Sequence, residues 1–188
     1  ASVNGDVINI AAGTYYEANL YTDGMAITIQ GTLNGDGTLA TTIDATQQGG
    51  SVFMFNKGEG NGTVIRDLVI TGVSVSGSGG GIYLDGSTSP SNPTLDECHI
   101  TDNSASANGG GISCNNQSKP TINRCTITDN RVEDLFSSGG GVASNSGSNP
   151  HLINCTISGN TGGPLHVSTN ISGTVTQGLR GEQSDLGR

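Results

Sequence analysis

Short runs that alternate apolar and polar residues, each closed by turn residues, recur at near-regular intervals along this chain. The pattern is clearest between Pro93 and Asn160, where one sentence is written three times. It reads Thr94-Leu95-Asp96-Glu97-Cys98-His99-Ile100-Thr101-Asp102-Asn103, then Thr121-Ile122-Asn123-Arg124-Cys125-Thr126-Ile127-Thr128-Asp129-Asn130, then His151-Leu152-Ile153-Asn154-Cys155-Thr156-Ile157-Ser158-Gly159-Asn160. A proline precedes each copy (Pro93, Pro120, Pro150), and glycine triplets follow the first two, at Gly109 to Gly111 and Gly139 to Gly141. The cysteines at 98, 125 and 155 give steps of 27 and 30 residues. A looser copy, Thr63 to Gly72, places Leu68 and Ile70 30 residues before Cys98 and Ile100. Upstream, Val7 to Ile10, Ala26 to Gln30, Thr42 to Asp44 and Val52 to Phe55 read as further short strands. Alternation with period two predicts strands, and no window sustains a helical period. A repeat of this length marks a solenoid, in which one unit cannot bury its apolar face alone. The expected fold is all-β: a right-handed parallel β-helix of about six rungs with almost no helix, over residues 1–173, followed by a polar tail or cap over 174–188.

Stacking the copies turns sequence positions into columns. The inward ones are Ile65, Leu95, Ile122 and Leu152; Leu68, Cys98, Cys125 and Cys155; Ile70, Ile100, Ile127 and Ile157; and Ile82, Ile112 and Val142. Asn103, Asn130 and Asn160 form a turn column whose amides can bond along the axis. Asp67, Glu97, Arg124 and Asn154 form another, with Glu97 and Arg124 placed to pair. In-register neighbours keep their Cβ atoms nearly one strand spacing apart, farther than the roughly 3.5–4.5 Å of a disulfide. The cysteines are therefore expected to be free, small core residues, with Cys114 in a separate column beside Leu84 and Ser144.

Composition fits this picture. Only 32% of residues are hydrophobic and 4% aromatic, tryptophan is absent, and there are 31 glycines, which suits a narrow aliphatic column wrapped in turns. The net charge of -9, with seven scattered Lys and Arg, excludes a nucleic-acid surface. No apolar run has the length of a membrane span. The chain opens at Ala1-Ser2-Val3 without a signal-peptide pattern, so the expectation is either that a leader was removed or that this is a piece of something longer.

Candidate chemistry is confined to one outward strip. It carries His99, Thr101, Asp102, Thr126, Thr128 and Asp129, with Arg124 beside it and Arg131 in a loop three residues longer than its counterpart, together with Glu133 and Asp134. Asp102 and Asp129 on adjacent rungs offer oxygen ligands for calcium, but aspartates in turns are ordinary turn formers. Asn34-Gly35-Asp36-Gly37 lacks the regular acidic ligands and distal Glu of a calcium loop. No metal site, cofactor or catalytic residue is assigned. The Thr-x-Thr pairs also resemble an ice-binding face, broken here by Val69, His99 and Ser158.

Two stretches carry a family resemblance: Gly5-Asp6-Val7-Ile8-Asn9-Ile10-Ala11-Ala12-Gly13-Thr14-Tyr15-Tyr16-Glu17, and Val64-Ile65-Arg66-Asp67-Leu68-Val69-Ile70-Thr71-Gly72. They are similar to the opening of the pectin-lyase-like right-handed parallel β-helix superfamily. The Gly-Gly-Gly-Ile/Val segments alternating with Cys-x-Ile-Thr-Asp-Asn resemble repeats of bacterial polymorphic outer-membrane and other surface proteins. That superfamily includes polysaccharide lyases, esterases and hydrolases, but their catalytic segments find no counterpart in these residues. It also implies a capping helix ahead of Gly5, so the first rung is expected to present an open edge, and oligomers through rung ends become possible. The resulting expectation is a non-catalytic, bacterial-type secreted or cell-surface module, structural or adhesive, that touches a polysaccharide or another surface protein. The alternative is a lyase, hydrolase or epimerase acting on acidic glycans, built on His99, Arg124, Asp129 and Arg131.

Overall fold

The computed structural model describes residues 2–134, 137, 139–162, 170–172 and 176–178. Among them every regular element is a strand, most of three or four residues with a central or alternating buried side chain. Sheet A stacks β1 (Val7–Asn9), β3 (Thr28–Gln30), β6 (Val64–Arg66), β10 (Thr94–Asp96), β14 (Thr121–Asn123), β18 (His151–Ile153) and β20 (Asn170–Ser172). Sheet B stacks β2 (Gly13–Tyr15), β4 (Thr41–Asp44), β7 (Val69–Thr71), β11 (His99–Thr101), β15 (Thr126–Thr128), β19 (Thr156–Ser158) and β21 (Thr176–Gly178). Sheet C holds β5 (Phe53–Phe55), β9 (Ile82–Asp85), β13 (Ile112–Asn115) and β17 (Val142–Ser144). A short ribbon D joins β8 (Ser74–Val75), β12 (Ser104–Ala105) and β16 (Arg131–Val132). All pairings between these strands are parallel. About five full turns are traced, the first closed on sheet C by the bridge from Leu20 to Phe53, and β18 and β19 begin the sixth. Of the 174–188 segment, Thr176–Gly178 pairs with β19, and residues 179–188 lie outside the described residues.

The columns stack in the expected register. Leu95 pairs with Ile65 and Ile122, and Ile122 with Leu152; Ile100 pairs with Ile70 and Ile127, and Ile127 with Ile157. These aliphatic side chains are buried, and in rung two the core also holds Phe53 and Phe55, stacked with ring centroids 6.1 Å apart. Cys98, Cys114, Cys125 and Cys155 are free and buried. Burial pushes the Cys114 and Cys155 thiols up; a hydrogen bond with Cys98, then burial, does the same for Cys125. The first rung is exposed, with Val7 at 54% and Ile8 at 38% although Ile8 stacks in register on Ile29.

Two features allow the chain to turn so tightly. At the corner between sheets A and B, Asp67, Glu97, Arg124 and Asn154 take φ values of 58°, 52°, 50° and 52°, the left-handed region that reverses direction in a single residue. Asp102 and Asp129 occupy the same conformation at the far end of sheet B, where Gly72 and Gly159 sit in the neighbouring rungs. The second feature is the asparagine ladder. Asn103 Nδ2 donates to Asn130 Oδ1 and Asn130 Nδ2 to Asn160 Oδ1, both at 3.0 Å, while each amide also donates to a buried carbonyl (Ile70, Ile100, Ile127). Arg131, expected in a loop, instead forms ribbon D with Ser104, just past this ladder.

Because Asn130 is buried and serves both neighbours, its loss strands several polar groups at once. Asn130→Ala removes the acceptor for the Asn103 backbone N–H and side-chain amide and the donor to Ile100. It is expected to lower stability by about 1–3 kcal/mol, read as a reduced urea midpoint with retained β-type circular dichroism. An unchanged midpoint would show that the ladder carries no net stability.

Candidate groove at the corner of sheets A and B

The residues that run the corner also form the floor of a groove of about 580 Å³. In rungs three to six the chain passes from sheet A to sheet B through two residues, such as Asp67-Leu68 and Glu97-Cys98. In rung two the same corner extends from Gly31 to Ala40. That insertion folds back on itself through an antiparallel bridge between Leu33 and Leu39. Asn34 N donates to Thr38 O at 2.8 Å, and Asp36 Oδ1 accepts from both the backbone and the hydroxyl of Thr38, which holds the Asp36 carboxyl below its ordinary range. Its root is tied down by Thr32, whose N–H donates to Thr41 Oγ1 and whose hydroxyl donates to Ile10 O, both at 2.8 Å. The result is a fixed wall of Leu33, Gly37, Thr38 and Leu39 standing over rungs three to five.

Two columns make the floor: Asp67, Glu97 and Arg124 from the corner, and Val69, His99 and Thr126 from the outer face of sheet B. The corner column is an ion-pair ladder. Arg66 Nε meets Asp67 Oδ2 at 2.9 Å and its Nη2 lies 3.9 Å from Glu97 Oε2. Arg124 Nε meets Glu97 Oε1 at 2.6 Å and its Nη2 meets Asp96 Oδ1 at 2.9 Å. The hydrogen bond that Arg124 donates to Glu97, then the charge of Asp96, raises the Arg124 guanidinium above its ordinary value. Asp67 is the buried member, with its side chain 2% exposed and Oδ1 without a hydrogen-bond partner.

His99 is held differently. Its Nε2 lies 2.8 Å from Thr128 Oγ1; Thr128 donates to Thr101 Oγ1 at 3.3 Å and Thr101 to Asp102 Oδ2 at 3.0 Å. A carboxylate only accepts, so the chain runs from ring to acid, with Nε2 carrying the proton and Nδ1 unprotonated. Burial lowers the His99 pKa, opposed in part by the charges of Asp102 and Asp129.

The structure thus gathers His99, Arg124 and Thr126 into the groove and links Thr101, Asp102 and Thr128 to it through hydroxyls. Asp129 occupies the next turn, where its carboxylate abuts Gly159, and Arg131 lies beyond the Asn130 turn on ribbon D. Among the described residues no group of three or more His, Cys, Asp or Glu is placed to hold a metal ion. Sequence reasoning missed the wall and the buried Asp67. The available signal was the ten-residue corner between strands at Gln30 and Thr41, where rungs three to six use two residues.

The lowered His99 pKa has a testable consequence. A histidine whose folded pKa lies below its unfolded value, about 6.5, contributes stability that is present above that value and is lost as pH falls through it. The His99 ring resonances are expected to titrate with a midpoint below 6.5, and the stability lost on acidification should be smaller in His99→Gln than in the wild type. A midpoint above the ordinary histidine value would contradict the burial of this ring.

With the groove and the coil in place, comparison with known proteins is informative about the fold. The family described as right handed beta helix region matches residues 50–177, and its boundaries enclose the repeat units from rung three onward. No curated protein and no solved structure matches the chain. The finer likeness to bacterial surface-protein repeats rests on the repeat residues alone. A match over more than half the chain, together with the parallel coil described above, places this protein in the right-handed β-helix family.

Proposed function

We propose that this protein is a non-catalytic, secreted or cell-surface β-helix module that holds a glycan strand in the groove between the 31–40 loop and the outer face of rungs three to five. The observation that carries this reading is the groove itself. Its wall is anchored by its own hydrogen bonds and carries the aliphatic side chains of Leu33 and Leu39, its floor combines hydrogen-bonding groups with Val69, and Arg124 is engaged by two carboxylates. A preformed concave surface with few fixed polar groups binds without a large ordering cost. Elimination or hydrolysis of an acidic sugar calls for a free cation beside the reacting ring, and Arg124 is already held by two carboxylates.

A second reading, as a lyase, hydrolase or epimerase, draws on one observation: the oriented, neutral imidazole of His99 at the groove floor. The two readings separate in a single assay. Pectate, alginate, hyaluronan and neutral plant and microbial glycans are incubated with the protein, with and without calcium, and unsaturated products and reducing ends are followed. Retention of a glycan in affinity electrophoresis with no product formation is expected. Turnover that disappears in His99→Ala would overturn the non-catalytic reading and support the second.

A further inference from the structure

We infer that the groove selects uncharged, hydroxyl-rich glycans over acidic ones, with Asp67 as the specificity-determining acceptor. This rests on the reading of the groove as a glycan site and extends it to ligand class.

Three observations carry the inference. The first is the charge inventory of the corner. Asp67, Asp96 and Glu97 face two cations, Arg66 and Arg124, and both guanidinium groups are engaged by those carboxylates. The corner therefore has a negative surplus, and Arg124, the one Lys or Arg that lines the groove among the described residues, already meets two carboxylates. Placing a ligand carboxylate beside this ladder brings like charges together, which disfavours binding. The overall charge of -9 works in the same direction at longer range.

The second is Asp67. Among the described residues three buried side-chain atoms lack a hydrogen-bond partner, Thr22 Oγ1, Asn56 Oδ1 and Asp67 Oδ1, and of these residues only Asp67 lines the groove. A carboxylate oxygen can only accept, and a buried acceptor without a donor is costly. A sugar hydroxyl supplies the missing donor, whereas an ionised carboxylate has none. The wall is seated directly on this residue, since a side chain at Gly31 would collide with the Asp67 carbonyl and with Leu68. The root of the 31–40 loop therefore packs against the Asp67 backbone, beside the carboxylate.

The third is the lining opposite. Leu33 is 43% exposed and stands with Leu39 across from the polar floor. One aliphatic side and one hydrogen-bonding side match the C–H face and hydroxyl rim of a neutral pyranose.

The test is isothermal titration calorimetry of the whole protein with xylan, mannan and β-glucan oligosaccharides on one side and with pectate, alginate and hyaluronan oligosaccharides on the other. It is repeated for Asp67→Asn and Glu97→Gln. Asn154 already occupies the Asp67 position in a later rung with the same left-handed backbone, so Asp67→Asn is compatible with the coil. At least one neutral ligand is expected to bind, with little dependence on salt, and the acidic ligands to bind at least tenfold more weakly. Asp67→Asn is expected to weaken the neutral ligand by about five- to tenfold, through loss of a charge-assisted acceptor, and both variants to narrow the preference. Acidic ligands binding as tightly as neutral ones would overturn this inference and leave the groove as a glycan site. Unchanged affinities in Asp67→Asn would overturn the role of Asp67. Failure of every glycan to bind would overturn the glycan reading itself.

Discussion

The constraint on which everything else depends is the parallel backbone ladder. Each rung hydrogen-bonds to the ones before and after it, so every residue stands about 4.8 Å from its equivalents and must tolerate being stacked on them. A side chain that packs well in one rung packs well in all, hence columns of Leu and Ile inside. A polar group that turns inward must be satisfied by its own copies, hence the chain of Asn103, Asn130 and Asn160. Charged residues obey the same rule outside: the corner column stacks Asp67 on Glu97, and cations offset the like charges, Arg66 from the adjoining sheet A column pairing with Asp67 and Arg124 from the next rung pairing with Glu97.

Stacking also explains why one irregular corner matters. Repetition produces a flat, uniform surface with little to distinguish one rung from the next. The 31–40 insertion breaks that uniformity, and it does so where the charged corner and the His99 column run side by side. The groove is the joint product of a regular floor and one irregular wall. The glycine at the root of the wall, Gly31, is what allows the insertion to start flush against Asp67.

Much of this was readable from the residues, because periodic stacking converts spacing into contact. The inward columns, the free thiols, the asparagine ladder and the meeting of Glu97 with Arg124 all follow from counting positions. What spacing does not contain is any feature without copies. The hairpin of Leu33 to Leu39 has no repeat partner, and its glycines read as an ordinary loop. The hydroxyl chain from His99 to Asp102 depends on side-chain rotamers across two rungs. The burial of Asp67 depends on what the wall covers, so it looked no different from Glu97 or Asn154 in the same column. Arg131 read as loop because its segment is three residues longer than its counterpart. The extra length instead falls after the short strand that Arg131 begins.

The central claim, that the ligand surface is the corner groove and not the flat strand faces or the rung ends, can be tested by mapping backbone amide shifts during titration with a neutral oligosaccharide. Perturbations concentrated at Leu33, Leu39, Asp67, His99 and Thr126 are predicted, decaying along sheet C. Shifts centred on the exposed first rung at Val7 and Ile8, or on the outer face of sheet C, would contradict it.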